Sequence, residues 1–153
     1  MEIKTYLQNL EINFKSFTHP PVFTCEQAEE YNKEIRGIHC KNLFLKNDFN
    51  FYLAILPAHK KLDFKILYKL FDNKLKFANE DDLKHILNLT PGAVSPFALV
   101  NDKEHKVILI IDKEIWDSDF VSFHPNTNTE TLELAGKDFQ KYVNSLNCNF
   151  KII

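Results

Sequence analysis

The spacing of apolar positions changes along the chain, and each change marks an element. Ile3, Tyr6, Leu7 and Leu10 recur at helical spacing, so residues 2–11 predict a short amphipathic helix. FKSFT, residues 14–18, then reads as a strand that stops at HPP, because two prolines cannot continue a ladder. Thr24 followed by Gln27 is a capping-box pattern and predicts a helix from Cys25 to about Ile35, with Gly37 as its stop. HCKNLFLK (39–46) and FNFYLAIL (49–56) are strand-like runs on either side of a turn, which predicts a hairpin. Asp63 is placed to cap FKILYKLF, and Asn79 to cap EDDLKHILN, whose acids fall in the favourable first turn.

Further on, FALV (97–100) and KVILIID (106–112) flank Asn101-Asp102 and read as a second hairpin. FVSFH and TETLEL read as two more strands, Ala135–Leu146 as a last helix and NFKII as an edge strand. Most strand neighbours are hairpin-linked. The expected class is therefore α+β, with a largely antiparallel or mixed sheet and surrounding helices, not a doubly wound parallel sheet. At 153 residues the chain predicts a single domain, 1–153, large enough to bury a real core.

Composition changes this picture only locally. The net charge is -2, which gives no global attraction to polyanions. Between Pro57 and Ala78, however, six lysines stand against two acids, and between Lys113 and Glu133 one lysine stands against five acids. Such a flank either steers a polyanion or is a solvated face. Three widely spaced cysteines give neither a zinc pattern nor a disulfide framework. The N-terminus lacks the order of a signal peptide, and no apolar run approaches membrane-spanning length, so a cytoplasmic protein is expected.

The chain has no glycine-rich phosphate loop, no GxSxG elbow and no HExxH, so no cofactor and no metal is expected. Three segments can still carry chemistry. In GIHCKNLFLK, period-2 alternation puts Lys41 on the same side as Leu43 and Leu45. Lys41 is then an anion ligand, a reactive amine or a strand-end lysine that reaches water. In PGAVSP, Gly92 permits close backbone approach, and the amides of Gly92, Ala93, Val94 and Ser95, ahead of Pro96 which has none, could point at a ligand oxygen; a plain connection is the alternative. In FHPNTNTETLEL, His124 precedes a polar run that includes Asn126 and Thr127, fitting either a turn or a polar pocket wall.

Taken in order, HPPVFTCEQA, HCKNLFLK, YLAILPAHKKLDFKIL, LKFANEDDL, LTPGAVSPFALVND, VILIID and FHPNTNTETLEL resemble the YbaK/prolyl-tRNA editing domain family. Within it they resemble most the freestanding alanyl-tRNA(Pro) deacylases, from about His19 to Val143. The resemblance implies a curled mixed sheet and hydrolysis of the ester joining alanine to the terminal adenosine of tRNA(Pro), with no covalent nucleophile. It places the family's essential lysine on Lys41, its neighbouring asparagine on Asn42, the GxxxP loop on Gly92–Pro96 and the third-motif histidine on His124. His19, Pro20, Ala93, Val94, Ser95, Pro96, Asn126 and Thr127 are the expected substrate contacts. Lys60, Lys61, Lys65 and Lys69 are the expected tRNA contacts. His124 is expected to shape the pocket, because the sequence offers no partner to orient it. The implied partner is the acceptor end of tRNA(Pro), with prolyl-tRNA synthetase or an elongation factor as a further one, and a monomer is expected. Three rival readings stay open: deacylation of Cys-tRNA(Pro) or another aminoacyl-tRNA on the same fold, a non-catalytic tRNA- or synthetase-binding module, and an unrelated α+β ligand-binding domain.

Overall fold

A computed structural model describes residues 2–21 and 33–153. Helix α1 (Ile3–Asn9) turns its Ile3 and Leu7 inward and is followed by β1 (Lys15–Thr18). β2 (Cys40–Lys46) and β3 (Phe51–Pro57) form the expected antiparallel hairpin, with Lys46 opposite Phe51. Its turn is built by Asn47, whose side-chain oxygen accepts the amides of Phe49 and Asn50, both at 2.8 Å. α2 (Phe64–Phe71) is capped by Asp63, which accepts the Lys65 amide at 2.9 Å. A two-residue strand β4 (Lys76–Phe77) precedes α3 (Glu80–Leu87), where Asn79 and Asp82 form a reciprocal capping box. β5 (Val107–Ile111), the short helix α4 (Lys113–Trp116), β6 (Phe120–Phe123), β7 (Glu130–Ala135), α5 (Gly136–Ser145) and β8 (Phe150–Ile152) complete the described elements.

Among the described residues, eight strands form two sheets. One has the order β1-β7-β6 and is antiparallel; the other has the order β4-β2-β3-β5-β8 and is mixed, with β5 parallel to both β3 and β8. A single bridge from Ile38 to Val121 ties the entry of β2 to β6, so the two sheets meet at that edge. The fold is α+β, as the sequence predicts.

The five-stranded sheet is covered on both faces. On one face Phe44, Leu53, Ile55, Leu109 and Ile111 join the large core with α1, α3, α5 and the three-stranded sheet. On the other face Leu45, Tyr52, Ala54 and Ile110 pack against Leu67 of α2 and Leu75. This accounts for the unbroken apolar run of β3, which is buried on both sides.

Two expectations fail. FALV is not a strand: Pro96–Asn101 is a 3-10 helix, because Ser95 caps it by accepting the Phe97 amide at 3.0 Å and Pro96 sits in its first turn with a helix-compatible φ. KVILIID therefore pairs with β3 and not with FALV. The Asn101-Asp102 step is no hairpin turn; the Asp102 carboxylate instead accepts the amides of Lys106 and Val107 at 3.0 and 2.8 Å, which starts β5. The expected Cys25–Ile35 helix lies mostly outside the described residues, and residues 33–35 are not helical. Gly37 acts as a close-contact residue: a Cβ there would meet the Val121 backbone at 2.6 Å.

Candidate functional site

Three stretches converge where the two sheets meet: the start of β2, the loop before the 3-10 helix, and the turn after β6. Asn42 connects the first two, since its Nδ2 donates to the Val94 carbonyl at 3.0 Å. That bond fixes the orientation of the amide, because a carbonyl can only accept. The Asn42 Oδ1 is then left buried with no partner among the described residues. Leaving such an acceptor unmatched costs about 1–3 kcal/mol.

The loop has the geometry its glycine implies. Gly92 sits at φ 91°, a conformation that side-chain-bearing residues rarely adopt. The Ala93 amide donates to Thr90 O at 3.3 Å, whereas the amides of Gly92, Val94 and Ser95 meet no acceptor among the described residues. Ala93 and Ser95 are buried and Val94 is half-buried. Pro96 is clamped from behind, its carbonyl accepting the Tyr142 hydroxyl at 2.8 Å. Phe97 then packs edge-on against Phe123, the residue before His124, with ring centroids 5.7 Å apart.

His124 is more tightly held than the sequence indicates. Its Nδ1 donates to the Glu130 carbonyl at 2.9 Å and lies 3.4 Å from the Thr131 hydroxyl. His19, at the end of β1, places Nε2 2.8 Å from the same hydroxyl and Nδ1 2.9 Å from Pro20 O. Since carbonyls only accept, both rings donate from Nδ1, and Thr131 donates on to His19 Nε2. The chain thus runs in one direction, from His124 through Thr131 to His19. It leaves the His124 Nε2 lone pair without a partner among the described residues. Burial pushes the His124 imidazole below its ordinary range, the Glu130 contact opposes this, and His19 and His39 nearby lower it further. The expectation that His124 has no orienting partner is therefore corrected: the partner is a backbone carbonyl, supported by a threonine seven residues away in sequence. No side-chain motif encodes a carbonyl, so the sequence could not signal it.

The remaining predicted residues fall as follows. Lys41 is half-buried, pairs through its backbone with Leu56 and makes no ion pair among the described residues. Strand alternation places it with Leu43 and Leu45, on the α2 side of β2, while Asn42 turns to the loop. The structure thus brings Asn42, and not Lys41, onto Val94. His19 is buried and Pro20 exposed. Asn126 is left-handed at φ 63°, its amide donates to His124 O at 2.9 Å, and its Oδ1 is buried without a partner. The Thr127 and Thr129 hydroxyls lie 3.1 Å apart. Ser95 is a helix cap, so its hydroxyl is already engaged.

On the basic flank, Lys61, Lys65 and Lys69 are exposed. Lys60 differs, as it pairs with Asp112 at 3.2 Å and with Glu114 at 3.3 Å. Its charge is thus shared with two carboxylates of the protein. A hollow of about 530 Å³ opens beside α2 between Phe64, Lys65, Tyr68, Lys69, Lys74 and Leu75. Lys74 in its wall was not among the expected contacts. Among the described residues no helix is long and apolar enough to cross a membrane.

Comparison with known proteins bears on the family and the fold. The family model for the aminoacyl-tRNA editing domain matches residues 19–142. The chain is 38% identical over 150 residues to the prolyl-tRNA editing protein ProX of Acetoanaerobium sticklandii, covering 96% of this chain and 92% of that protein. It is 30% identical over 149 residues to the prolyl-tRNA synthetase associated domain-containing protein 1 of Mus musculus, covering 93% and 88%. A crystal structure of a candidate trans-editing enzyme for prolyl-tRNA synthetase superposes with a TM-score of 0.72 at 14% identity, over 99% of this chain and 93% of that one, which supports the fold. By its sequence from His19 to Tyr142, the chain belongs to the aminoacyl-tRNA editing domain family and is an aminoacyl-ester hydrolase of that kind.

Proposed function

We propose that this single-domain protein, 1–153, removes alanine from mischarged tRNA(Pro) by hydrolysing the ester to the terminal ribose. The observation that carries the reading is the trio of undonated amides at Gly92, Val94 and Ser95, on a loop fixed by Asn42 and by Tyr142. Backbone donors held rigid in a sheltered site are suited to an ester carbonyl as it becomes an oxyanion. Water adds to that carbonyl, the bond to the ribose 3′-oxygen breaks, and the products are alanine and a tRNA with a free 3′-hydroxyl. An aminoacyl ester is already activated, so positioning the water suffices, and no side chain forms a covalent intermediate. The substrate's own 2′-hydroxyl helps to orient the water. His124 Nε2, held as a lone-pair acceptor, faces the same task. Lys41, on the opposite face of β2, anchors the terminal phosphate or ribose.

Selectivity follows from size. Rejecting alanine at a site built for proline rests on lost methylene contacts, each worth only ~10- to 200-fold. A second site, walled by Ala93, Val94 and Pro96, admits a methyl group and excludes a five-membered ring. The relatives' names make prolyl-tRNA the natural carrier, with its synthetase or an elongation factor as the partner that hands it over, in the cytoplasm.

The test is release of labelled alanine from Ala-tRNA(Pro), with Pro-, Cys- and Ser-tRNA(Pro) alongside. Rapid release of alanine with prolyl-tRNA spared is expected. Faster release of cysteine would move the specificity to the neighbouring branch, and binding without release of any amino acid would make the protein a tRNA-binding module. Lys41→Ala is expected to slow alanine release by ~10-fold or more, the loss of one charged hydrogen bond; full activity in that variant would remove Lys41 from the site.

A further inference from the structure

The structure leaves two buried side-chain acceptors unmatched, Asn42 Oδ1 and Asn126 Oδ1, and these are all the buried side-chain nitrogen or oxygen atoms without a partner among the described residues. Both belong to the stretches that converge on the site. Asn42 holds the loop through Val94, and Asn126 follows His124 in the turn whose backbone it closes by donating to His124 O. The Asn42 orientation is not interchangeable, because its Nδ2 is committed to a carbonyl. A sheltered amide oxygen at a functional site calls for a donor, and the donor must come from what binds there.

The substrate of the proposed reaction has three kinds of donor: an α-ammonium, ribose hydroxyls and the adenine amine. Only the α-ammonium is attached to the carbon next to the ester carbonyl. If the amides of Gly92, Val94 and Ser95 receive that carbonyl oxygen, the group nearest to a side chain bonded to Val94 is the α-substituent, not the ribose on the far side of the ester. The ammonium also matches the chemistry. It has three N–H donors and one positive charge, and both orphans are neutral acceptors with no anionic competitor bonded to them. We infer that Asn42 Oδ1, with Asn126 Oδ1, forms the subsite for the substrate's α-ammonium group, so that this site requires an amino acid and not merely a small acyl group. Both oxygens are shielded from solvent, so binding there requires the turn around Asn126 to move. The inference rests on the deacylase reading above and adds to it the group that is recognised.

The experiment compares two acyl groups on the same tRNA(Pro), alanine and propanoate, which differ only by the amine. Rates are measured for the wild-type chain, Asn42→Ala, Asn126→Gly and Asn126→Asp. Glycine accepts the left-handed backbone at 126 and removes the acceptor, whereas aspartate keeps an acceptor there. Asn42→Ala and Asn126→Gly are expected to slow alanyl release at least ~10-fold more than propanoyl release, the usual scale for a hydrogen bond to a charged group. Asn126→Asp is expected to retain most alanyl activity. Loss of loop anchoring alone would slow both acyl groups equally, and that outcome overturns the inference while leaving the deacylase reading intact. If melting shows that Asn42→Ala does not fold, the Asn126→Gly comparison decides alone by the same criterion. A folded wild-type protein that releases neither group overturns the deacylase reading, and the subsite with it.

Discussion

Thr131 is a buried hydroxyl between two imidazoles, and its direction of donation decides what His124 can do. Thr131→Val keeps the shape but deprives His19 Nε2 of its donor and His124 Nδ1 of its second acceptor. This is expected to destabilise the fold by about 1–3 kcal/mol, read by denaturant unfolding, and to lower alanine release, whereas Thr131→Ser restores both. The same residue scale sets a pH dependence. Burial holds the folded pKa of His124 below its ordinary 6.5, so between the two values the unfolded chain binds more protons than the folded one. Stability from this group is therefore complete above 6.5 and is lost as pH falls towards the lowered folded value. The proposed Nε2 acceptor is lost in the same direction. Alanine release is expected to fall on the acid side with an apparent pKa below 6.5, and His124→Gln to flatten that limb; an unchanged limb in the variant would exclude His124 as its source.

At the level of elements, the strongest constraints are close approaches between strands and helices. A Cβ at Gly37 would lie 2.6 Å from the Val121 carbonyl carbon, and one at Gly136 only 1.9 Å from Ser118 O. Gly37→Ala must push the entry of β2 away from β6, the edge where the site assembles. It is expected to cost about 1–3 kcal/mol and several degrees of melting temperature, and to reduce alanine release in the fraction that remains folded. What was legible in the sequence follows the same logic. α1, the β2–β3 hairpin, the two capped helices, the strands β6 and β7, α5 and the edge strand β8 all rest on local period, caps and turn residues, and all appear. FALV misleads because its four apolar residues satisfy a strand pattern, while the deciding signals, a capping serine and a first-turn proline, precede it. The parallel pairing of β5 with β3 is equally hidden, since register between distant strands leaves no local mark. At the site, the loop and the motif residues were readable as types. That Asn42 and not Lys41 would reach Val94 depends on which face of a doubly covered sheet the loop occupies.

Across the whole molecule that sheet divides the labour. Leu43 and Leu45 pack on the α2 side, so Lys41 belongs to the same face as the exposed Lys65 and Lys69, while its neighbour Asn42 belongs to the face of the 92–95 loop. The first residues of β2 are thus where a basic surface and the surface of the proposed ester site adjoin. In the proposed complex the tRNA backbone follows the lysine face, and only the aminoacyl end crosses to the loop. The two kinds of residue then fail differently. Lysines that neutralise phosphates each contribute about 0.7–0.9 to the slope of log affinity against log salt. Lys65→Ala, Lys69→Ala and Lys74→Ala are each expected to weaken tRNA binding and flatten that slope by up to this amount, with kcat nearly unchanged. Lys60→Ala is expected to leave the slope as it is, because Asp112 and Glu114 already answer that charge. Asn42→Ala is expected to lower kcat at constant salt slope. Titrating tRNA(Pro) binding at several salt concentrations for these five variants checks the division, and a Lys60 effect as large as that of Lys65 would show that the polyanion approaches from the acidic side of the molecule instead.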